Sequence, residues 1–220
     1  MEPQPTRPAH PSDSVRAQIL ASEHWSLLST RSIAYNEIFS RTAIFLTVLS
    51  ASVVALALVA DATDFGDEFY VFAFVVLPVV LLLGSGTLIR LLQANADDTW
   101  LVAAMNRIRN GYLELAPGLE PYFTAGRHDD EPGVLASYGP GARLRPIPVL
   151  ASTPVLVGII DVVVAGVLAA LVASRAGVGI AGAIVVGALV ALTALGVVAV
   201  GVLRSLGLMR RTFVPRFPSP

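Results

Sequence analysis

The sequence predicts an all-α integral membrane protein, a four-helix bundle of two hairpins with cytoplasmic helical extensions of the first two spans. Three observations lead there. Hydrophobic residues make up 55% of the chain and charged residues 14%, with a mean hydropathy of +0.71, whereas globular domains average about 45–50% and about 25%. Four runs are long and apolar enough to cross a hydrocarbon core about 30 Å thick, which takes about 20 helical residues. Finally, arginine is distributed unevenly about those runs.

In chain order, residues 1–13 are rich in proline and are expected to form a disordered tail. The segment 14–116 then holds a cytoplasmic helix, a first span over about 42–60, a second over about 69–90 and a helical extension. Pro78 interrupts the second span, which lipid-embedded helices tolerate when neighbours satisfy the freed carbonyl. Residues 117–148 form a Pro/Gly-rich connection. The segment 149–203 carries a third span (about 149–174) and a fourth (about 178–203), and 204–220 is a tail. Some forty residues precede the first apolar run and no small-residue cleavage site follows it, so it reads as a span and not a signal peptide.

Orientation follows from the arginines, because segments that stay in the cytoplasm during insertion keep positive charge. Arg7, Arg16, Arg31 and Arg41 precede the first span, six arginines from Arg90 to Arg145 follow the second, and Arg204, Arg210, Arg211 and Arg216 follow the fourth. Only Arg175 falls on the opposite side, and the 61–68 connection carries four acids and no base. Both termini are therefore expected in the cytoplasm, at a cell membrane. Every basic residue is arginine, and with abundant Ala, Gly and Val this matches the codon usage of a GC-rich bacterial genome.

Outside the membrane, Leu91, Ala94, Leu101, Met105, Ile108, Tyr112 and Leu115 recur three or four apart, with Asp98 the polar intruder, so the second span continues as a helix until Pro117 and Gly118. Residues 14–40 lack Gly and Pro and present Leu20, Leu27, Leu28, Tyr35, Ile38 and Phe39 on one broad face. The two extensions bury their stripes against each other or a second subunit, or the 91–115 stripe docks a cytoplasmic protein partner. Trp25 and Trp100 are expected as packing or interface anchors. The connection after residue 116 is expected to be irregular. His128, Asp129, Asp130 and Glu131 within it are consecutive and lack a second cluster at ligand spacing, so they read as a solvated acidic turn and not a metal site. Arg210, Arg211 and Arg216 are expected to anchor topology or to lie against anionic headgroups.

Asp161 is the one charged residue inside an expected span, at a cost of about 2.5–3.5 kcal/mol unless paired, protonated or wet. It shares a face with Gly158, Ala165, Ala169 and Ala173, and the fourth span carries a matching ladder of Gly179, Ala183, Gly187 and Ala191, which lets two backbones approach. Thr193, Thr47, Ser50, Ser52 or the same aspartate of another subunit are candidate partners. Asp161 is either a hydrogen-bonded carboxyl between helices or a proton- or cation-responsive site. No catalytic set is present: there is no cysteine, the three histidines lie in aqueous segments, and the spans contain no His or Lys to activate a hydroxyl. Haem ligation within the bundle is likewise excluded, and Gly84 and Gly86 lack the context of a phosphate cradle. A net charge of −1 without clustered arginines argues against nucleic-acid binding.

The prolonged hairpin around Tyr35–Ser40 and Leu91–Tyr112 gives the first half, roughly Ser14 to Leu115, a loose architectural resemblance to bacterial SLATT-type membrane effector domains. That resemblance implies pore formation in conflict systems. The whole chain also resembles multi-pass membrane proteins of actinobacteria, a likeness that implies no particular activity. The expected function is a non-enzymatic, cofactor-free scaffold, sensor or effector, homo-oligomeric in the bilayer, acting through helix–helix interfaces. The alternative is an oligomeric channel or small transporter with Asp161 near the ion or proton path.

Overall fold

The computed structural model describes residues 11–139, 152–212 and 214–220, the 205–212 stretch as helical backbone only. Among them helix is the only regular structure: α1 (Asp13–Thr63), α2 (Asp67–Leu115), a 3-10 turn (Pro117–Tyr122), α3 (Glu131–Ser137), α4 (Thr153–Arg175) and α5 (Ile180–Thr212). α1, α2, α4 and α5 are each long and apolar enough to cross a membrane. Most of the expected 1–13 tail and the stretch with Arg143, Arg145 and Val149 lie outside the described residues, while Asp13 already belongs to α1.

At 51 and 49 residues, α1 and α2 would be about 75 Å long, more than twice the thickness of a bilayer core. Neither breaks where the apolar run ends. The connection expected over 61–68 shrinks to residues 64–66, where Asp64 and Phe65 take left-handed backbone angles and Gly66 N–H closes on Thr63 O at 2.8 Å. Asp67 and Glu68 then place negative charge on the first turn of α2, which complements the helix dipole. α4 starts with Pro154 in its first turn and ends in a glycine-capped turn. Gly177 adopts φ +85°, and Val178 N–H reaches back to Ala173 O at 3.1 Å. α5 runs past the expected end of the fourth span, so residues 204–212 of the expected tail are helical.

The chain divides into two compact units. The apolar unit holds residues 34–97 and 152–212. Its core joins Phe45 and Ala60 of α1, Phe69, Ala73, Leu77 and Val80 of α2, and Val157 and Val164 of α4, with Val198 of α5 packed on it. Large apolar side chains also cover the outside, as at Leu82, Leu58 and Leu192, the pattern of a surface solvated by lipid. α4 and α5 pack closely. A methyl group at Gly187 would lie 2.7 Å from Gly166 O and 3.0 Å from Ala170, and one at Gly166 would lie 3.1 Å from Ala191. The α5 ladder is thus met at Ala183, Gly187 and Ala191, but Gly179 precedes the helix and is exposed. On α4 the closest approach is at Gly166 and Ala170, one residue beyond the expected Ala165 and Ala169, which line an apolar groove with Leu81, Ala173 and Val190.

The polar unit holds residues 11–33, 98–139 and 214–220. Here α2 is covered on several sides. Val102, Ala103, Met105, Asn106, Ile108 and Leu113 are all buried, so the expected stripe widens and is consumed by internal packing. The inward face of α1 also differs from the expected one. Ala17, Leu20, Ala21, His24, Leu27 and Arg31 are half-buried at three- and four-residue spacing, whereas Leu28 is exposed, and in the apolar unit so are Tyr35 and Phe39. Leu20 touches Gly111, and His24 meets the Tyr112 ring. Trp25 is 70% exposed among the described residues. The connection expected to be irregular begins with the 3-10 turn and contains α3, because Pro117 and Pro132 stand at the first helical positions, where proline loses no bond.

Candidate functional site

Two constellations combine charge with burial, one in each unit. In the apolar unit Asp161, on α4, is 5% exposed. Its Oδ2 accepts a hydrogen bond from Ser85 Oγ of α2 at 3.0 Å, while Oδ1 has no hydrogen-bond partner among the described residues. The approach depends on the preceding residue: a methyl group at Gly84 would collide with Asp161 Oδ1 and sit 2.8 Å from the Phe45 ring. The four expected hydroxyl partners are used otherwise. Thr47, Ser50, Ser52 and Thr193 each donate to the carbonyl one turn back, Ala43, Leu46, Val48 and Leu189 respectively. Gly158 faces Leu88 and Val198 at 3.7–3.8 Å, with room for a methyl group.

Charged ladders tie α1 to α2 inside each unit. Arg90 forms a two-pronged pair with Glu37, at 3.1 and 2.9 Å, and Arg41 adds a third bond at 2.9 Å. The Arg90 and then the Arg41 hydrogen bonds hold the Glu37 carboxyl down at about 2. In the polar unit Asp98, the apparent intruder in the apolar stripe, accepts both prongs of Arg31 at 2.6 and 3.2 Å and the Tyr138 hydroxyl at 2.6 Å.

The second constellation grows from Asn106, which is fully buried on α2. Its amide donates to His128 O at 2.7 Å and Gly133 O at 3.1 Å, and its carbonyl oxygen accepts from Ser137 Oγ at 2.8 Å and from Arg109. One side chain thus organises the whole 126–137 segment. That segment presents two neighbouring carboxylates. Asp129, with no exposed surface, accepts Arg107 Nε, the Arg216 N–H at 2.8 Å and the Phe217 N–H at 2.7 Å. Asp130 caps α3 through the Gly133 N–H at 3.0 Å and takes both the N–H and the hydroxyl of Ser219, at 2.7 and 2.9 Å. Asp129 N–H donates to Phe217 O at 3.3 Å, His128 Nδ1 lies 3.3 Å from the same oxygen, and Arg107 donates to Val214 O at 3.2 Å. A bend at Arg216 and Phe217 turns two successive N–H groups, which an extended chain would point apart, onto one carboxylate.

Burial pushes the Asp129 carboxyl up, and the bonds from Arg216, Arg107 and Phe217 more than reverse it, so it titrates below the usual carboxylate range. Asp130 follows the same pattern, with burial opposed by Ser219, Gly133 and His128. The expected solvated acidic turn is therefore corrected. Its first aspartate is enclosed, and its two carboxylates hold the 214–220 segment, including the backbone of Arg216. Nothing in the local pattern at 128–131 signals this, because the partner lies almost ninety residues away.

No family model, curated protein or solved structure matches the chain. Its class rests on its own features: an all-helical protein with four helices able to cross a membrane.

Proposed function

We propose that the chain is a non-enzymatic, four-span membrane scaffold or effector, with both termini and the polar unit in the cytoplasm. The observation that carries this is the make-up of the polar unit. Residues before the first apolar run, between the second and third, and after the fourth are joined by Arg31–Asp98 and Asp129–Arg216 contacts. Such contacts require all three segments on one face of a bilayer. The arginine bias makes that face the cytoplasmic one, and the spans pair as two hairpins. Arg175, the one arginine on the other side, pairs with Asp67 at 2.7 Å and lies over the Tyr70 ring, which supports the two short turns sharing the outer face. Homo-oligomerisation belongs to this reading, and a cytoplasmic protein partner would meet outward residues such as Ile19, Trp25 and Ile33 rather than the buried 91–115 stripe.

One observation favours the second reading, a channel or small transporter: the unpartnered Oδ1 of Asp161 could accept a proton or cation. Native mass measurement in detergent followed by flux assays in liposomes separates the two. The scaffold reading expects an oligomer without conductance, in the parent chain and in Asp161→Asn alike. A flux that Asp161→Asn abolishes would replace it with the channel.

A further inference from the structure

The 214–220 segment is held almost entirely by its main chain. Pro215, Pro218 and Pro220 have no N–H, so from Pro215 onward the backbone donors are those of Arg216, Phe217 and Ser219, and all three land on the carboxylates of Asp129 and Asp130. The two carbonyls taken up, Val214 O and Phe217 O, are also main-chain groups. The prolines restrict the free segment before it binds, which lowers the entropic cost of seating it. What the cradle reads is a pattern, Pro-X-X-Pro-Ser, whose serine adds a hydroxyl bond to Asp130. Arg216 points outward, and Phe217, half-buried, is the side chain at an X position with a packing role.

The same pattern occurs once more in the chain, as Pro8-Ala9-His10-Pro11-Ser12. It would offer N–H groups at Ala9, His10 and Ser12, the serine hydroxyl, and carbonyls at Arg7 and His10, matching each main-chain and hydroxyl contact made by 214–219. Ser12 is exposed, its hydroxyl engaged with Ser14 at 3.0 Å. We propose that the Arg107–Asp129–Asp130 cradle is a peptide site for Pro-X-X-Pro-Ser segments and that residues 8–12 of this chain are its second occupant, in competition with residues 215–219. Occupancy by 8–12 releases the segment that follows α5. The cradle thereby selects which end of the chain is tied down. This goes beyond the scaffold reading and does not depend on membrane orientation.

The test uses the full chain in detergent micelles. Arg216→Pro with Ser219→Pro removes two of the three N–H donors and the hydroxyl from the seated segment, and Ala9→Pro with Ser12→Pro in the same chain disarms residues 8–12, which would otherwise fill the vacated cradle ahead of any added peptide. Trp25→Phe leaves Trp100, which lies 5.9 Å beneath the Arg107 guanidinium, as the only indole. A synthetic peptide of residues 4–13 should change Trp100 emission saturably. A 214–220 peptide should bind about tenfold more tightly, because it buries a phenyl ring. Asp129→Asn should abolish both, and replacing Ala9 and Ser12 of the 4–13 peptide by proline should abolish the binding of that peptide alone. Binding of the 214–220 peptide without the 4–13 peptide overturns the proposal, and so does binding of neither. If this variant does not fold, the unsubstituted chain decides: the 4–13 peptide must accelerate deuterium uptake at the Phe217 and Ser219 amides, and unchanged uptake overturns the proposal.

Discussion

Asp161 and Gly84 are matched across two helices, and the match explains why a carboxylate sits in an apolar core. Ser85 supplies a donor, and Gly84 supplies the space that brings α2 close enough for the bond. Gly84→Ala should therefore cost about 1–3 kcal/mol or more through overpacking. Gly158→Ala, with 3.7 Å of clearance, should be neutral or slightly stabilising; thermal unfolding in detergent compares them. In the sequence Asp161 was legible from its charge alone. Its partner was not, since serines and threonines in apolar helices commonly satisfy themselves on their own backbone, as the four expected partners do. Asp129 gives a second prediction. Its folded carboxyl titrates below the unfolded value of about 3.9, so its stabilisation is whole above that value and is lost as pH falls through the folded pKa. Slow amide exchange at Arg216 and Phe217 should persist from pH 7 to 5 and weaken progressively as pH falls below about 4, once corrected for intrinsic rates. Asp129→Asn should raise those rates about 30-fold at pH 7, from a loss of about 2 kcal/mol in charge-assisted bonding.

The long helices themselves were readable, because twenty-odd consecutive apolar residues leave few alternatives in either lipid or water. Their faces were only partly so. The inward stripe of α1 includes His24 and Arg31, residue types that hydrophobic periodicity passes over. His24 turns inward against Tyr112, and Arg31 reaches the buried side of Asp98. Apolar residues such as Phe39 point outward instead. The α5 ladder has the phase the sequence predicts but starts one turn later, because Gly179 looks like an interface residue and instead leads into the helix. Gly187→Ala should thus separate α4 from α5, at about 1–3 kcal/mol, since its methyl group would meet Gly166 O on a backbone that cannot turn aside. Gly179→Ala, with nothing within 4 Å, should leave the melting temperature unchanged. Pro117 ends α2 at Leu115 as its place in the sequence predicts, and in the first turn of the next element it and Pro132 also act as starters, which a breaker's reputation hides.

Across the molecule, the polar unit draws on three stretches separated by pairs of apolar runs. Length, spans and arginine bias could be read from the sequence. The closure of residues 214–220 onto Asp129 could not, because neither an aspartate pair nor a short proline pattern names its partner across almost ninety residues. We propose that the polar unit lies on the cytoplasmic face and the two short turns on the other. The chain contains no cysteine, so single cysteines report location without background. Asp61→Cys and Ala176→Cys sit at exposed positions beside the turns, and Tyr122→Cys replaces a side chain 79% exposed in the polar unit. With a membrane-impermeant maleimide on intact cells, the first two should label at once and Tyr122→Cys only after permeabilisation. Labelling of Tyr122→Cys in intact cells, or protection of both turns, would contradict the account.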